Sequence, residues 1–151
     1  MYFIKDKYLP PETLNEFLRD LEVINKLITV GQSVLGNPIY SLQIGNGETK
    51  ILIWSQMHGN EPTSTKSLID FCGFLLNNKN SKHILKEITF LIIFQLNPDG
   101  SKLFTRNNAN GIDLNRDAQN LSQPESKLLY SCFKNFKPNY CFNMHGQRSI
   151  Y

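Results

Sequence analysis

Ile88-Thr89-Phe90-Leu91-Ile92-Ile93-Phe94-Gln95-Leu96 is the longest apolar run in the chain, and its reading decides the fold. It is too short to cross a membrane as a helix. Its Ile and Phe content and lack of alternation predict a strand buried on both faces, as in the centre of a parallel sheet. Shorter runs flank it. Ile51-Leu52-Ile53-Trp54 reads as a second buried strand and Tyr140 to Met144 as a third. Tyr40, Leu42 and Ile44 alternate like a half-exposed strand, closed by the Gly45-Asn46-Gly47 turn. Helical spacing fills the gaps. Leu14, Phe17, Leu18, Leu21, Ile24 and Ile28 follow Pro10-Pro11, and Leu68, Cys72, Leu75 and Leu76 follow Pro62. Leu128, Leu129, Cys132 and Phe136 follow Ser122-Gln123-Pro124-Glu125, which reads as a capping box. Gly31 and Gly36-Asn37-Pro38 read as breakers. Strands alternating with helices predict an α/β fold with a mixed, centrally parallel sheet flanked by helices, in a single domain over residues 1–151.

Composition excludes several classes. A hydrophobic fraction of 40% and a charged fraction of 19% are those of a globular chain. The net charge of +3 is small and spread along the sequence, which argues against a nucleic-acid partner, and no run suggests a membrane span. Cys72, Cys132 and Cys141 have no disulfide-framework spacing and are expected as buried, reduced thiols. Met1-Tyr2-Phe3-Ile4-Lys5-Asp6 lacks an apolar core of signal length, so the expected location is cytoplasmic.

Three polar motifs follow predicted strands: His58-Gly59-Asn60-Glu61, Asn97-Pro98-Asp99-Gly100 and His145-Gly146-Gln147. Ligands in open α/β sheets bind beyond the carboxyl ends of the strands, so the three motifs converge on one edge. His58 and Glu61 are three apart, with Gly59 allowing a tight turn, and His145 completes the three N/O ligands that catalytic zinc takes. The same residues also suit a plainer role, with the histidines bonding to loops and Glu61 favouring a helix N-terminus. His83, in Ser81-Lys82-His83-Ile84, reads as a surface residue. The polar stretch 97–121 is too long for an idle connection. It carries Arg106, Asn115 and Arg116, which either polarise a carbonyl and hold an anion or form exposed loop salt bridges. Asp113 either orients a metal-bound histidine or serves turn chemistry.

As an ordered series, His58-x-x-Glu61, Asn97-Pro98-Asp99-Gly100, Arg106, Asn110-Gly111-x-Asp113-Leu114-Asn115-Arg116 and His145-Gly146 resemble the carboxypeptidase A-like zinc metallopeptidases. The resemblance implies a phosphorylase/hydrolase-like zinc carboxypeptidase fold, truncated here on its C-terminal side. It implies zinc on His58, Glu61 and His145, with Asp113 supporting His58. Arg106 would polarise the scissile carbonyl, and Asn115 and Arg116 would grip the free carboxylate of a peptide or peptide-like substrate. The family's general-base glutamate, capping tyrosine and most of its specificity pocket follow the third ligand, so the missing C-terminal half of the domain is itself an expected partner. Neither Glu125, read as a helix cap, nor Tyr151 takes over those roles. Three outcomes are carried forward: a zinc carboxypeptidase, with cell-wall peptide amidase chemistry as a variant; an inactive zinc-binding fragment; or an acylase resembling succinylglutamate desuccinylase or aspartoacylase. An uncovered sheet edge would also make the isolated chain associate.

Overall fold

The computed structural model describes residues 9–24 and 27–146, the side chains of 20–24 excepted. The element order is α1 (Pro11–Ile24), β1 (Leu27–Gln32), β2 (Pro38–Ile44), β3 (Thr49–Ser55), α2 (Pro62–Asn77), α3 (Ser81–Glu87), β4 (Ile88–Ile93), α4 (Pro98–Leu103), α5 (Pro124–Phe136) and β5 (Tyr140–Met144). The five strands form one sheet in the order β1-β2-β4-β3-β5. β3 runs parallel to both β4 and β5, whereas β1-β2 and β2-β4 are antiparallel. The sheet is therefore mixed with a parallel centre, as the apolar runs predict.

Its two faces carry separate cores. Phe90, Ile92 and Phe94 pack with Leu14 and Leu18 of α1 and with Leu68, Ile69, Cys72 and Leu75 of α2. Leu91 and Ile93 point the other way, toward Leu52, Met57, Leu114 and Leu128 of α5. Alternate residues of one continuous apolar strand thus serve opposite layers, which is why the run shows no polar period.

Several expectations need correction. Ile28 belongs to β1, not to the first helix, and Leu21 and Ile24 have side chains outside those described. β1 was not anticipated, because Gly31 reads as a breaker. Instead, Gly31 sits inside β1 at a register shift. A Cβ there would lie 2.2 Å from Leu128 Cδ1, so glycine lets α5 close on the strand. The helices α3 and α4 were also not anticipated. Asn97 caps α4, its Oδ1 accepting the Gly100 N–H at 2.8 Å. The capping box at Ser122-Gln123-Pro124-Glu125 does not form. Gln123 is the N-cap without a side-chain cap bond, Ser122 bonds to Asp117, and Glu125 turns inward. Of the cysteines, all unpaired, only Cys72 is fully buried, and burial pushes its thiol up to about 12. Cys141 is exposed because β5 is an edge strand.

Candidate metal centre

β3, β4 and β5 are parallel, so the segments after Ser55, Ile93 and Met144 emerge on one edge. The first of these holds His58 and Glu61, the latter at the N-cap of α2. Glu61 makes no side-chain cap bond; its carboxylate instead faces two histidines. Oε1 lies 3.0 Å from His58 Nδ1 and Oε2 lies 3.0 Å from His145 Nδ1. The Gly146 N–H donates to Oε2 at 3.0 Å. The imidazoles stand 4.9 Å apart, and one donor atom from each of His58, Glu61 and His145 lies within 4.8 Å of the others. These residues thus form a cluster able to hold a metal ion, rather than the helix-terminus role open to Glu61.

Gly59 is needed here for a reason other than backbone torsion. The positive-φ glycines are 36, 45 and 111. A Cβ on Gly59 would sit 2.0 Å from Gly100 C and 2.3 Å from Ser101 N. The His58 turn therefore lies directly on the first turn of α4, at the Asn97-Pro98-Asp99-Gly100 motif.

That contact ties the cluster to the arginine-bearing segment. Asn97 Nδ2 donates to the carbonyls of Met57 and Arg106, at 3.3 and 3.4 Å. Arg106 Nε donates to Asp113 Oδ2 at 3.1 Å, and its Nη1 lies 3.5 Å from Glu61 Oε1. Asp113 Oδ1 faces His58 Nε2 at 3.0 Å and accepts the Asn115 N–H at 2.9 Å. The structure thus brings His58, Glu61, His145, Arg106 and Asp113 into one connected group. Asn115 joins through its backbone. Arg116 is exposed; its backbone N–H donates to the Asp113 carbonyl at 2.9 Å, its guanidinium donates to the Asn115 carbonyl at 3.4 Å, and it has no ion pair among the described residues. Gln147 and Tyr151 lie outside the described residues.

The electrostatics favour anions at the cluster. Burial pushes Glu61 up, but the Gly146 N–H, the His145 hydrogen bond and the charges of His58 and His145 outweigh it and hold the carboxyl below its ordinary range. Burial likewise raises Asp113, and His58, the Asn115 N–H and Arg106 together bring it below.

Several residues that shape the site have roles the sequence did not announce. Glu125 is fully buried; it accepts from the Val34 N–H at 3.1 Å and from Asn108 Nδ2 at 3.2 Å. Asn108 Oδ1 in turn accepts the N–H groups of Asn110 and Ile112, which fixes the loop between Arg106 and Asp113. Asp99 holds the β1–β2 turn through Ser33 Oγ, the Leu35 N–H and Asn37 Nδ2. The partners of Glu125 and Asp99 are distant in sequence, so no local pattern announces them.

A mixed sheet carrying a His/Glu/His cluster at the carboxyl ends of its parallel strands defines the class as an α/β protein with a candidate metal site. Comparison with known proteins is more specific: the chain belongs to the zinc carboxypeptidase family, whose model matches residues 12–150. It is 26% identical to carboxypeptidase SOL1 of Arabidopsis thaliana over 155 residues, covering 89% of this chain and 32% of the relative. It is 33% identical to carboxypeptidase D of Mus musculus, covering 82% of this chain and 11% of the relative. A metallo-carboxypeptidase structure from Burkholderia cenocepacia superposes with a TM-score of 0.86 at 22% identity, covering 95% of this chain and 43% of that one. The chain therefore spans less than half the length of each of these relatives.

Proposed function

We propose that this protein, over a full-length catalytic domain, is a zinc-dependent carboxypeptidase that hydrolyses a C-terminal peptide or amide bond. Residues 1–151 would form the N-terminal part of that single domain. The observation that carries the reading is the environment of His58. Each of its ring nitrogens faces a carboxylate oxygen at 3.0 Å, Nδ1 toward Glu61 and Nε2 toward Asp113. A neutral imidazole has one N–H and can donate to only one of these oxygens, so both contacts are met either by an imidazolium or by a cation on Nδ1. A cation held by Nδ1 and Glu61 would leave the proton on Nε2, where Asp113 accepts it. Glu61 offers Oε1 to His58 and Oε2 to His145, each at 3.0 Å, and one donor atom of each residue lies within 4.8 Å of the other two.

His58, Glu61 and His145 would hold the ion. When bound, zinc supplies Lewis acidity that brings the deprotonation of a water toward neutral pH. The chain's own residues do the rest. Asp113 fixes the tautomer and orientation of His58. Arg106 keeps its guanidinium at the cluster through Asp113 and retains donors for a substrate carbonyl and the charge that develops on it. Asn115 and the unpaired fork of Arg116 suit the free carboxylate of a peptide or peptide-like substrate. The relatives reported above are carboxypeptidases, which favours peptides over N-acyl amino acids. Among the described residues no helix is long and apolar enough to cross a membrane. We place the protein in the cytoplasm, without a nucleic-acid partner, as its unpaired cysteines suit a reducing compartment.

A second reading concerns residues 1–151 by themselves. Asp113 and Glu125 are committed to His58, Arg106, Val34 and Asn108, so neither stands ready as a general base. Loss of base assistance costs on the order of 10²–10⁴-fold in rate, and this segment in isolation would bind zinc without useful hydrolysis. The test compares full-length protein with residues 1–151 for zinc content and for release of C-terminal residues from mixed peptides. We expect both to bind one zinc and only the full-length protein to hydrolyse. A full-length protein that holds zinc yet releases no residue sinks the carboxypeptidase reading; efficient hydrolysis by the segment sinks the second.

A further inference from the structure

Gln56 is the last residue before Met57-His58 and has a backbone φ of 48°. This is the left-handed region, which long side chains seldom occupy and glycine occupies freely. The side chain is also buried, at 1% exposure, although it ends in a polar amide. Burial of a primary amide is tolerated when every donor and acceptor is satisfied, and here all four positions are filled. Nε2 donates to the Gly59 carbonyl and to Ser101 Oγ, both at 2.8 Å. Oε1 accepts from Thr65 Oγ1 at 2.7 Å and from Gln95 Nε2 at 3.1 Å. The contact with a carbonyl sets the orientation, because exchanging O and N would face two acceptors.

The partners lie on four different pieces of the site. Gly59 is inside the His58–Glu61 turn, Thr65 is in the first part of α2, Ser101 is on α4 and Gln95 follows β4. Ser101 Oγ also accepts from Gln95 Nε2 at 2.8 Å and donates to the Leu9 carbonyl at 2.9 Å, so it too is fully used. The backbone adds one more tie, with the Asn97 N–H donating to the Gln56 carbonyl at 3.2 Å. One amide therefore joins the ligand-bearing turn to α2, to α4 and to the end of the central strand.

We propose that Gln56 is a positioning residue for the metal centre, its side-chain amide holding the His58–Glu61 turn in the shape that brings both ligands together. This rests on the reading of the cluster as a zinc site. If the left-handed backbone were all the turn required, glycine would serve at least as well, since it relieves the torsional strain. The amide does what glycine cannot: it grips the Gly59 carbonyl from inside the turn.

The test uses two variants of the complete protein, Gln56→Gly and Ser101→Ala. The first relaxes the backbone and deletes the amide. The second leaves Gln56 in place and deletes the hydroxyl that takes one of its N–H groups. For each, zinc affinity is measured on metal-free protein by competition with a chromophoric chelator, after near-UV circular dichroism and a cooperative melt confirm folding. Residues that orient ligands typically change metal affinity by roughly 10–100-fold. We expect a loss of that order in Gln56→Gly and a smaller, few-fold loss in Ser101→Ala, with both still folded. Wild-type affinity in a folded Gln56→Gly protein overturns the proposal. Should that variant not fold, wild-type affinity in folded Ser101→Ala overturns it instead. A wild-type protein that binds no zinc overturns the metal-site reading and this inference together, whereas wild-type binding with undiminished variants overturns this inference alone.

Discussion

Arg106 is half-exposed, with Nε–H on Asp113 and Nη1 near Glu61, so its position is set by carboxylates rather than by packing. If its role is to stabilise charge developing on a substrate carbonyl, Arg106→Ala in the full-length enzyme should lower kcat by about 10²–10³-fold. Zinc content should stay unchanged, as measured by steady-state kinetics beside metal analysis; equal losses of zinc and activity would assign Arg106 to the metal instead. Asp117 makes a prediction about acid. It is buried, and although burial raises its pKa, the Ser122 hydroxyl and the Gln123 N–H bring it from the ordinary 3.8 down to about 2. The folded state therefore binds this proton more weakly than the unfolded chain. The resulting stability is present above the ordinary value and fades as pH falls toward 2, and it amounts to about 2 kcal/mol at neutral pH. In urea unfolding, Asp117→Asn should be destabilised at pH 7, and its gap from wild type should narrow as pH falls from about 4 toward 2. A gap independent of pH would refute the ionic part. At this scale, the proximity of His58, Glu61 and His145 was legible because few residue types do metal chemistry and these three follow strand ends, whereas Arg106 and Asp113 reach the cluster from the loop after α4. Gln56, Asn108 and Glu125 were not, because a buried amide or carboxylate is recognisable only once its distant partners are in place.

At the scale of elements, β3, β4 and β5 were readable from their apolar content, and α2 and α5 from their spacing. The strand β1 was not, for two physical reasons. Ile28 falls in register with the preceding helix by period alone, and Gly31 marks a close approach to α5 rather than a chain break. A glycine at a packing contact and a glycine at a turn look the same in one sequence. Gly31→Ala tests the distinction. Its methyl would push against Leu128 Cδ1, and overpacking of this kind costs typically about 1–3 kcal/mol. Denaturant titration should show that loss, and Leu128→Ala should recover part of it in the double variant, which would not happen if Gly31 were needed for its torsion. The short α3 and α4 escaped because a single turn or two holds too little periodicity. Asn97 is a proper cap signal, hidden inside a motif that first reads as chemistry.

Across the whole molecule, the layering follows from one central strand whose alternate residues feed two cores, and the fold matches the Burkholderia cenocepacia metallo-carboxypeptidase structure over 43% of that chain's length. The third proposed ligand stands apart from the others in this architecture. His58 and Glu61 share one turn, but His145 reaches Glu61 across 84 residues, at the end of an edge strand whose first three residues are exposed. Binding energy at such a site is shared with whatever brings the distant ligand in. Zinc should therefore slow hydrogen exchange in β5 far more than in β4, as read by mass spectrometry with and without metal; uniform protection would mean that the strand docks independently. During synthesis the first two ligands leave the ribosome long before the third. If zinc is held by His58, Glu61 and His145 as proposed, the complete set exists only after the last described strand has joined the sheet, and the ion would then proofread finished folding as well as serve as a reagent.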